Sequence, residues 1–366
     1  MKPPDRLSFW NNRSVLVTGP TGLLGPWLIK DLLYHKASVV ALIRDNVPDS
    51  QFFTEELHRQ VTTVHGDLLD PALLNRILNE CNIDTVFHLG AQAIVGYANR
   101  SPLSTFRSNI EGTWNVLEAC RTSPWVKRIV VASSDKAYGS HDTLPYTEDA
   151  PLQGRYPYDC SKSCADLISQ SYFHTYKLPV CVTRCGNFFG GGDFHFNRIV
   201  PGTVRSVIMG QQPIIRSNGL FVRDYIYVKD VVDAYMTLAE NMEAKNLFGQ
   251  AFNFSTDQPF TVLELVEHIL QLMDAIHIVP IIQNQASNEI SAQHLSSAKA
   301  STMLDWKAKF GVTKGLEETI EWYKSYFNNM KNPSIHFASQ NTQGERIKDA
   351  VRGECSPKVN VSNHAA

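Results

Sequence analysis

The sequence contains no long apolar run. None of its segments approaches the roughly 18 consecutive apolar residues that a membrane-spanning helix requires. The N-terminal residues MKPPDRLSFW lack the apolar core of a signal peptide. An excess of charge of either sign is also missing, because 34 basic and 36 acidic residues leave a net charge of −2. We therefore expect a cytoplasmic protein that binds neither nucleic acid nor membranes.

A disulfide framework is missing as well. The seven cysteines are an odd number and are scattered along the chain as Cys81, Cys120, Cys160, Cys164, Cys181, Cys185 and Cys355. The spacings of Cys160 with Cys164 and of Cys181 with Cys185 would suit a metal, but no histidine cluster lies beside either pair at ligand spacing. We expect reduced thiols and no metal site.

Strand-like and helix-like segments alternate in the first half of the chain. Apolar, β-branched runs occupy residues 14–18, 38–43, 61–67 and 84–91, and helical periodicity returns over 108–121. Hydrophobic residues make up 43% of the sequence, enough to bury a full core. This alternation predicts an α/β fold with a Rossmann-type, doubly wound parallel sheet.

The character of the sequence changes after residue 185. Glycines crowd together in 186-GNFFGGGD-193, and the apolar segments become shorter. We predict a dinucleotide-binding Rossmann domain with the catalytic residues over 1–185. A smaller C-terminal substrate-binding lobe is predicted over 186–328, with some return to the first domain. Residues 329–366 lose apolar periodicity and are rich in Ser, Asn, Gln and charge, so we predict a disordered tail there.

A glycine-rich turn follows the first predicted strand. Gly19, Gly22 and Gly25 stand three residues apart and lead into the amphipathic stretch PWLIKDLLYHK. In dinucleotide folds such glycines allow a tight turn, a close approach of backbone N–H groups to a pyrophosphate, and close packing of helix on strand. The helix N-terminus adds a partial positive charge. An ordinary tight turn is the alternative, but the strand before it and the helix after it favour a nicotinamide dinucleotide.

The end of the second strand bears on the choice between NAD and NADP. NAD-binding folds usually place an acidic residue there for the ribose hydroxyls, whereas this strand ends in Arg44 followed by Asp45. Arg44 could bind a 2′-phosphate or stack over the adenine, so both cofactors stay open. Asp67, after the third strand, is a candidate adenine contact. Small residues between His88 and Gln92 would let the cofactor lie close to the backbone.

Reactive side chains follow one another in 132-ASSDKAYG-139. Ser134, Asp135 and Lys136 supply a hydroxyl, a carboxylate and an amine at the carboxyl end of a strand, where α/β folds place their sites. A surface ion pair is the alternative for Asp135 and Lys136. Downstream, Tyr158 and Lys162 are one helical turn apart and share a face. An ammonium beside a phenol favours the phenolate, so this pair supplies a proton acceptor for a sugar hydroxyl.

Together these motifs resemble the extended short-chain dehydrogenase/reductases, specifically their NAD-dependent nucleotide-sugar epimerase and dehydratase branch. The resemblance covers about residues 13–325 and rests on TGPTGLLG, HLGAQ, SNIEGTWNVLEA, SSDKAYG, YDCSK, RCGNFFGGGD and VRDYIYVKD. In this branch 4-epimerases usually carry two small residues after the catalytic Ser or Thr, whereas 4,6-dehydratases carry an acid followed by a base. The Asp135-Lys136 version, with GGGD at 190–193, is most similar to CDP-glucose 4,6-dehydratases.

The resemblance implies a tightly bound dinucleotide and a nucleotide-diphosphate sugar as substrate. It implies that Tyr158 takes the proton of the carbon-4 hydroxyl, which Ser134 binds, while hydride leaves that carbon. Lys136 then serves as the base at carbon 5 and Asp135 as the acid for the carbon-6 hydroxyl, before hydride returns to carbon 6. The cofactor would be held by Gly19, Thr21, Gly22, Leu23, Leu24, Gly25, Arg44, Asp67, Leu68, Leu89, Ala91, Gln92, Asn109, Tyr158 and Lys162.

The same resemblance implies the substrate contacts. Arg223 matches the family's pyrophosphate-binding arginine, and Asn187 and Asn197 match its sugar-nucleotide amides. A buried pair with Asp224 is the alternative for Arg223, and a solvated turn is the alternative for Arg216. The predicted substrate-binding set is completed by Gln92, Ser134 and Arg216.

One segment departs from the pattern of CDP-glucose dehydratases. They typically carry Trp-Gln-His in the substrate lobe, whereas this chain reads VRDYIYVKD at 222–230, the form commoner in epimerases and other dehydratases. The nucleotide base therefore stays open. A 4-epimerase or reductase of the same fold is the second functional hypothesis. A non-catalytic sugar-nucleotide-binding protein is the third, and the complete set of Ser134, Tyr158 and Lys162 argues against it.

A homodimer is the last expectation from the resemblance. Family members commonly pair two long helices into a four-helix bundle, and the matching segments here are 105–121 and 161–177. Both segments carry apolar residues on more than one face, as a helix that packs on two sides requires.

Overall fold

Strands and helices alternate along residues 5–285 and 289–331, the part of the chain that the structure, a computed structural model, describes. The strands are β1 (Ser14–Thr18), β2 (Ser38–Ile43), β3 (Thr62–His65), β4 (Thr85–His88), β5 (Arg128–Ala132), β6 (Val180–Cys185), β7 (Asn187–Phe189), β8 (Ile214–Ile215), β9 (Val222–Arg223), β10 (Tyr225–Tyr227), β11 (Ala251–Phe254), β12 (Phe260–Thr261) and β13 (Ile281–Ile282).

The helices are α1 (Arg6–Trp10), α2 (Leu24–Tyr34), α3 (Gln51–Thr54), α4 (Pro71–Glu80), α5 (Val95–Arg100), α6 (Pro102–Phe106), α7 (Gly112–Thr122), α8 (Pro157–Tyr176), α9 (Ile199–Ile208), α10 (Val228–Asn241), α11 (Val262–Leu272), α12 (Ala298–Leu304) and α13 (Gly311–Lys331). Single turns of 3₁₀ helix span Leu57–Arg59 and Asp135–Tyr138, and a π-helical turn spans Arg107–Glu111.

One seven-stranded parallel sheet forms the centre of the fold. Its strand order is β11-β6-β5-β4-β1-β2-β3, and every neighbouring pair is parallel. Helices α2 and α10 pack together on one face, while α4, α7 and α8 cover the other. The predicted Rossmann-type doubly wound sheet is confirmed.

The central strands are apolar because helices cover both of their faces. In β1 the side chains of Val15, Leu16 and Val17 are at most 1% exposed. A strand buried on both sides reads as a continuous apolar run rather than as an alternation of polar and apolar residues. The run SVLVT shows that pattern, so strand β1 could be predicted from the sequence.

The chain after β6 forms smaller sheets. Strand β7 pairs with β10, β8 with β13 and β9 with β12, each as a two-stranded sheet. The chain returns to the main sheet through β11, which pairs in parallel with β6. Residues up to Trp322 form one compact unit, and a second unit begins at Tyr323. A domain boundary between residues 185 and 186 stays a prediction.

Part of the predicted tail over 329–366 lies within helix α13, which ends at Lys331. Residues 332–366, which carry the rest of that prediction and include Cys355, lie outside the described residues. The other six cysteines are free thiols. Within residues 5–285 and 289–331 no helix has the length and apolar character needed to cross a membrane. The same ranges contain no group of three or more potential metal ligands.

Candidate active site

The carboxyl ends of three neighbouring strands meet at one edge of the sheet. In the strand register Thr18 of β1 lies opposite His88 of β4, and His88 lies opposite Val131 of β5. The strand order reverses at this point, because β2 and β3 extend the sheet beyond β1 while β5, β6 and β11 extend it beyond β4. Open α/β sheets bind their ligands at such a reversal. This edge is therefore the candidate site.

The predicted glycine turn lies directly after β1. Gly19 has a φ of +71°, in the left-handed region that favours glycine. A Cβ at Gly25 would lie 2.5 Å from the Gly19 carbonyl oxygen and 2.7 Å from the Cα of Pro20. Both positions therefore require glycine, and the free N–H groups at the start of α2 suit a pyrophosphate. Between β1 and the first turn of α2 lie the predicted cofactor residues Gly19, Thr21, Gly22, Leu23, Leu24 and Gly25.

The Thr18 side chain ties β1 to the loop after β4. Its Oγ1 accepts hydrogen bonds from the N–H groups of Leu89 at 3.1 Å and Gly90 at 2.9 Å. The same oxygen lies 2.9 Å from Nδ1 of His88. Thr18 therefore fixes the backbone of the loop that carries the predicted cofactor residues Leu89 and Ala91.

His88 is a neutral member of this network. Burial lowers its pKa to about 3, and the charge of Lys162 acts in the same direction. Its Nε2 lies 3.1 Å from Oγ1 of Thr113, whose hydroxyl donates to the Asn109 carbonyl oxygen at 2.6 Å. Because the Thr113 hydroxyl donates its only proton to Asn109, it can only accept from His88. Nε2 of His88 therefore carries the ring proton, and Nδ1 accepts from the Thr18 hydroxyl.

Asn109 connects the loop after β4 with helix α8. Its Oδ1 accepts from the Gln92 N–H at 2.7 Å, and its Nδ2 donates to the Gln92 carbonyl at 3.0 Å and to Ser161 Oγ at 2.9 Å. Asn109 belongs to the π-helical turn Arg107–Glu111, a feature that often occurs at functional sites. The Gln92 side chain accepts from the Ile94 N–H at 3.0 Å. Both predicted residues thus lie at the candidate site, where they shape the loop.

Arg44 and Asp45 bind each other at the end of β2. The Arg44 guanidinium lies 2.7 Å from Oδ2 of Asp45 and donates to the Ser108 hydroxyl at 3.4 Å. Both charged side chains are more than half exposed. A ribose hydroxyl could reach the carboxylate and a 2′-phosphate could reach the guanidinium, so the geometry of this pair accommodates either nicotinamide dinucleotide.

Asp67 and Leu68 follow β3 and lie beside the β4 loop. The Asp67 side chain accepts from the Leu69 N–H at 3.0 Å. A Cβ on Gly90 would meet the Leu68 side chain at 3.1 Å, and Asn115 donates to the Leu68 carbonyl at 3.0 Å. Leu68 therefore packs under the small residue that keeps this loop close to the sheet.

Strand β5 leads into the turn that carries the predicted acid and base. Ser134 caps the 3₁₀ turn Asp135–Tyr138: its Oγ accepts from the Lys136 N–H at 3.2 Å. The Ser134 hydroxyl donates to Oδ1 of Asp135 at 2.9 Å. Asp135 is 2% exposed. The hydroxyl, the carboxyl group and the amine are thus held in one turn at the candidate site.

Helix α8 brings Tyr158 and Lys162 to the same place. Lys162 Nζ donates to the carbonyl oxygen of Ala132, the last residue of β5, at 2.6 Å. Burial raises the pKa of Tyr158 to about 12, and a side-chain hydrogen bond with Ser134 acts against that rise. Burial lowers the pKa of Lys162 to about 8. Tyr158 is therefore a neutral phenol that contacts Ser134, the cap of the Asp135–Tyr138 turn.

Burial pushes both members of the Asp135-Lys136 pair toward their neutral forms. It raises the pKa of Asp135, against the effects of the Lys136 charge and the Ser134 hydrogen bond. It lowers the pKa of Lys136, and the nearby Arg223 charge lowers it further. A neutral carboxylic acid can donate a proton and a neutral amine can accept one. The pair is therefore equipped for acid–base chemistry and is not the exposed ion pair of the alternative hypothesis.

Arg223 is buried at the end of β9. Its Nη2 lies 3.4 Å from Oε2 of Glu289, and its Nη1 donates to the carbonyls of Val222 at 2.9 Å and Ser291 at 3.4 Å. The Glu289 side chain is 46% exposed, whereas that of Arg223 is 7% exposed. The Arg223 guanidinium thus lies close enough to the Asp135–Tyr138 turn to act on Lys136, and its anionic partner is the partly exposed carboxylate of Glu289.

Asp224, the alternative partner for Arg223, makes other contacts. Its Oδ2 accepts from the Ser255 hydroxyl and from the Leu295 N–H. Burial raises its pKa to about 7. The alternative of a buried Arg223–Asp224 ion pair is therefore wrong.

The remaining predicted substrate residues bind one another or the adjacent backbone. Asn187 donates to the Asp224 carbonyl at 3.2 Å. Arg216 donates to Oδ1 of Asn197 at 2.5 Å, and both of these residues are exposed. Asn197 and Arg216 thus form a polar pair on the surface, and their contacts with the substrate stay a prediction.

The fold and these motifs match a known family. The family model described as GDP-mannose 4,6 dehydratase matches residues 16–319. The chain belongs to the GDP-mannose 4,6 dehydratase family. The resemblance to nucleotide-sugar dehydratases and epimerases is thereby confirmed.

Proteins similar to this chain align over most of its length. CDP-glucose 4,6-dehydratase of Salmonella typhimurium is 29% identical over 87% of this chain and 92% of its own length. The crystal structure of dTDP-glucose 4,6-dehydratase from Bacillus anthracis in complex with NAD aligns with a TM-score of 0.76 at 25% identity, over 86% of this chain and 97% of that one. UDP-glucose 4-epimerase of Thermotoga maritima with UDP-glucose aligns with a TM-score of 0.77 at 25% identity, over 86% and 99%.

Two residues near the dehydratase motif were missed by sequence reasoning. Asp159 is 3% exposed; burial raises its pKa to about 6, while the charge of Lys136 opposes the rise. The sequence signal that could have indicated Asp159 is its position directly after the predicted proton acceptor Tyr158. Gln293 Nε2 donates to the Asp135 carbonyl at 2.7 Å. No local pattern indicates that contact, since it joins residues far apart in sequence.

Other buried side chains also hold the Asp135–Tyr138 turn. Ser163 Oγ donates to the Ala137 carbonyl at 2.7 Å. The Tyr138 hydroxyl donates to Oδ1 of Asn253 at 2.7 Å and accepts from Nη1 of Arg184 at 2.8 Å. All five residues are buried. The turn is therefore held by α8, β6 and β11 as well as by its own strand.

Proposed function

We propose that the protein is a nucleotide-sugar 4,6-dehydratase of the CDP-glucose type, which forms a 4-keto-6-deoxy sugar nucleotide with loss of water. The observation that carries the proposal is the buried Asp135–Tyr138 turn, which holds a carboxyl group and an amine in adjacent positions, each with a pKa that burial shifts toward the neutral form. Eliminating water from a sugar needs one proton donor and one proton acceptor. The Salmonella typhimurium relative, named CDP-glucose 4,6-dehydratase, supports this assignment.

The residues present fit a nicotinamide dinucleotide. A Cβ at Gly25 would fill the turn, and the N–H groups at the start of α2 suit a pyrophosphate. Lys162 of α8, whose Nζ donates to the last residue of β5, would hold the nicotinamide ribose, and Asp45 would accept hydrogen bonds from the adenosine ribose. Bound NAD would supply the hydride-transfer chemistry at carbons 4 and 6 of the sugar. The NAD in the Bacillus anthracis structure supports NAD over NADP.

We expect this NAD to be tightly bound. A cofactor that is regenerated within each turnover has no need to exchange, so it should purify with the protein. The absorbance and mass of the ligand released on denaturation would measure this. Activity that consumes added NADPH in stoichiometric amounts would instead support a reductase.

Tyr158 and Ser134 would serve the oxidation at carbon 4. The Ser134 hydroxyl binds the carbon-4 hydroxyl of the sugar, and Tyr158 accepts its proton as the ketone forms. Burial disfavours the phenolate that this step requires, so the charge of Lys162 is needed to stabilise it, and the hydrogen bond with Ser134 acts in the same direction. The new ketone then acidifies the proton on carbon 5.

Lys136 and Asp135 would serve the elimination. The Lys136 amine takes the carbon-5 proton, the carbon 6–oxygen bond breaks, and Asp135 protonates the departing hydroxyl to give water. Lys136 returns its proton to carbon 5 when carbon 6 is reduced. Over one turnover Tyr158 gains a proton and Asp135 loses one, and Ser134, which hydrogen-bonds both, connects the two groups.

Arg223 would bind the pyrophosphate of the substrate. Its guanidinium is buried and charged, and phosphate oxygens would replace the partly exposed Glu289 carboxylate as its partner. Asn187, Asn197 and Arg216 would contact the rest of the sugar nucleotide, with Gln92 at the sugar end.

A 4-epimerase is the second candidate function. The Thermotoga maritima UDP-glucose 4-epimerase shares the fold, and an epimerase would use Tyr158 and Ser134 for the same first oxidation. Epimerisation at carbon 4 needs no proton transfer at carbons 5 and 6. A buried acid and amine in the Asp135–Tyr138 turn therefore favour the dehydratase.

Mass spectrometry separates the two candidates. The protein would be incubated in turn with CDP-glucose, GDP-mannose, UDP-glucose, UDP-N-acetylglucosamine and dTDP-glucose. We expect one of them, with CDP-glucose first, to lose one water. An isomer of unchanged mass would support the epimerase, and no change in any sugar would support a binding protein without catalytic activity.

A cytoplasmic location stays a prediction.

We also propose that the protein forms a homodimer. Large apolar side chains are exposed in the two segments expected at the interface: Trp114 of α7 is 42%, Leu167 of α8 52% and Tyr176 of α8 55% exposed. Exposed apolar residues in one region of a surface favour burial against a partner.

A further inference from the structure

Gln293 is a fully buried glutamine that no step described above uses. Its side chain is 0% exposed. Its Nε2 donates to the carbonyl oxygen of Asp135 at 2.7 Å, although 158 residues separate the two in sequence. Gln293 therefore joins the predicted substrate lobe directly to the turn that carries the proposed acid and base.

The segment 289–293 that carries Gln293 also contacts Arg223. The Val222 N–H donates to the Ser291 carbonyl at 2.9 Å, and the Gln293 N–H donates to the Val222 carbonyl at 3.1 Å. Nη1 of Arg223 donates to the same Ser291 carbonyl at 3.4 Å. One short segment is thus bonded both to the proposed pyrophosphate-binding residue and to the acid–base turn.

Gln293 binds the main chain of Asp135 rather than its carboxyl group. A carbonyl oxygen only accepts, so the NH₂ group of Gln293 must face it. A hydrogen bond donated to the carboxyl group would stabilise the carboxylate and lower its pKa, whereas this bond fixes the residue and leaves its acidity unchanged. Asp135 Oδ2 and Gln293 Oε1 are both buried, without a hydrogen-bond partner among the described residues.

We propose that Gln293 is a positioning residue for the elimination step. The proposal rests on the proposed dehydratase function, in which Asp135 protonates the hydroxyl leaving carbon 6. Once Arg223 holds the pyrophosphate, the length of the substrate sets the distance from Arg223 to carbon 6. Segment 289–293 and the Gln293 amide set the distance from Arg223 to Asp135 in the protein, and the two distances must match. Without that amide Asp135 and Lys136 can shift relative to carbons 5 and 6. Tyr158 remains held by α8, and Ser134 directly follows Ser133, whose N–H donates to the Thr183 carbonyl of β6 at 2.9 Å.

The test is Gln293→Met, which keeps the length of the side chain and removes its donor. The nucleotide sugar that loses water with the parent protein is mixed with each protein in a single turnover. Reduced-nicotinamide absorbance reports the oxidation, and quenched samples analysed by mass report the loss of water. We expect an unchanged rate of oxidation and an unchanged substrate concentration for half-maximal oxidation. Elimination should be about 10²-fold slower, since a displacement of about 1 Å at a reacting centre has such an effect.

Gln51→Met is the matched control. Gln51 is also a buried glutamine, 1% exposed, whose Nε2 donates a hydrogen bond, at 3.0 Å to Glu55, and whose Oε1 has no partner among the described residues. Its amide is bound beside α3 and not at the catalytic turn. We expect both rates to stay at the parent values in this variant.

Equal losses of both rates in Gln293→Met, or no loss of either, would overturn the proposal. If thermal unfolding shows that this variant does not fold, Gln293→Asn replaces it, because it keeps the amide but is too short to reach Asp135. The same split between oxidation and elimination is expected. A parent protein that removes water from no nucleotide sugar overturns the proposed function instead, and with it the role of Gln293, so the two failures appear in different samples.

Discussion

The Ser134 hydroxyl donates a hydrogen bond to Oδ1 of Asp135 over 2.9 Å. In the neutral acid Oδ1 therefore acts as the carbonyl oxygen, and the acid proton belongs on Oδ2. That oxygen is buried and has no hydrogen-bond partner in the part of the chain that the structure describes. This orientation leaves the acid proton unbound by the described residues and suits Asp135 to the proton-donor role proposed for it in the elimination.

The first prediction concerns the acid and the base. Asp135→Asn keeps the shape of the side chain but removes the acid proton, and Lys136→Ala removes the amine. We expect both variants to oxidise the sugar and then to stall, because each positioned acid or base contributes on the order of 10²–10⁴ in rate. Stopped-flow absorbance should show reduced nicotinamide accumulating, while mass spectrometry shows no loss of water.

Lys127→Ala is the control for the lysine variant. Lys127 is exposed and precedes the opposite end of β5, so its removal should change neither step. Asp135 and Lys136 variants that turn over like the parent would contradict the dehydratase assignment and leave an epimerase.

The second prediction separates the oxidation from the elimination. Tyr158→Phe removes the proton acceptor for the carbon-4 hydroxyl, so no reduced nicotinamide should appear on mixing with substrate. The control is Tyr172→Phe on the same helix, which removes only a hydrogen bond to Glu118 at 3.2 Å. A Tyr158→Phe variant that still accumulates reduced nicotinamide would exclude Tyr158 as the base.

Local patterns made much of this site predictable from sequence. The glycine spacing, the continuous apolar run of β1 and the four-residue separation of Tyr158 and Lys162 all depend on neighbouring residues. Gln293 was not predictable, because its contact with Asp135 is created by the return of a distant segment. The Asp224 contacts were not predictable for the same reason, since Ser255 and Leu295 come from other elements.

The third prediction tests the cofactor turn. In Gly25→Ala the new Cβ would lie 2.5 Å from the Gly19 carbonyl oxygen, so α2 must move away from the turn. We expect the purified variant to lack the dinucleotide, measured by the absorbance of the denatured supernatant. Gly96→Ala is the control, because the nearest atom to its Cβ is Nη1 of Arg100 at 3.8 Å and α5 accepts alanine. Retention of cofactor by Gly25→Ala would count against this binding mode.

The fourth prediction concerns stability and pH. Burial raises the pKa of Asp224 from 3.8 to about 7. Between about pH 4 and pH 7 the folded carboxyl group therefore binds more protons than the unfolded one, and the free energy of unfolding falls as the pH rises through this window. A shift of this size corresponds to at most about 4 kcal/mol.

Asp224→Asn should reduce the fall in the free energy of unfolding between about pH 4 and pH 7. Ser255 and Leu295 both donate to Oδ2, so an amide oxygen at that position keeps both hydrogen bonds while the group no longer ionises. Urea unfolding at pH 5 and pH 8 would measure the difference, with Asp142→Asn at an exposed position as the control. An unchanged pH dependence would show that Asp224 ionises in the folded protein as it does in the unfolded chain.

The fifth prediction tests the dimer through Leu167. This side chain is 52% exposed on α8, the helix expected to pair with its copy, and Trp114 on the neighbouring α7 is 42% exposed. In a two-fold interface Leu167→Glu would place a carboxylate from each subunit in an apolar contact, where burial of unpaired charge is strongly unfavourable. Light scattering at micromolar concentration should therefore show a dimer for the parent and a monomer for Leu167→Glu.

Leu220→Glu is the control for this variant. Leu220 lies before β9 and is 65% exposed, so the variant should remain dimeric. A parent protein that is monomeric, or a Leu167→Glu variant that stays dimeric, would exclude this face as the interface.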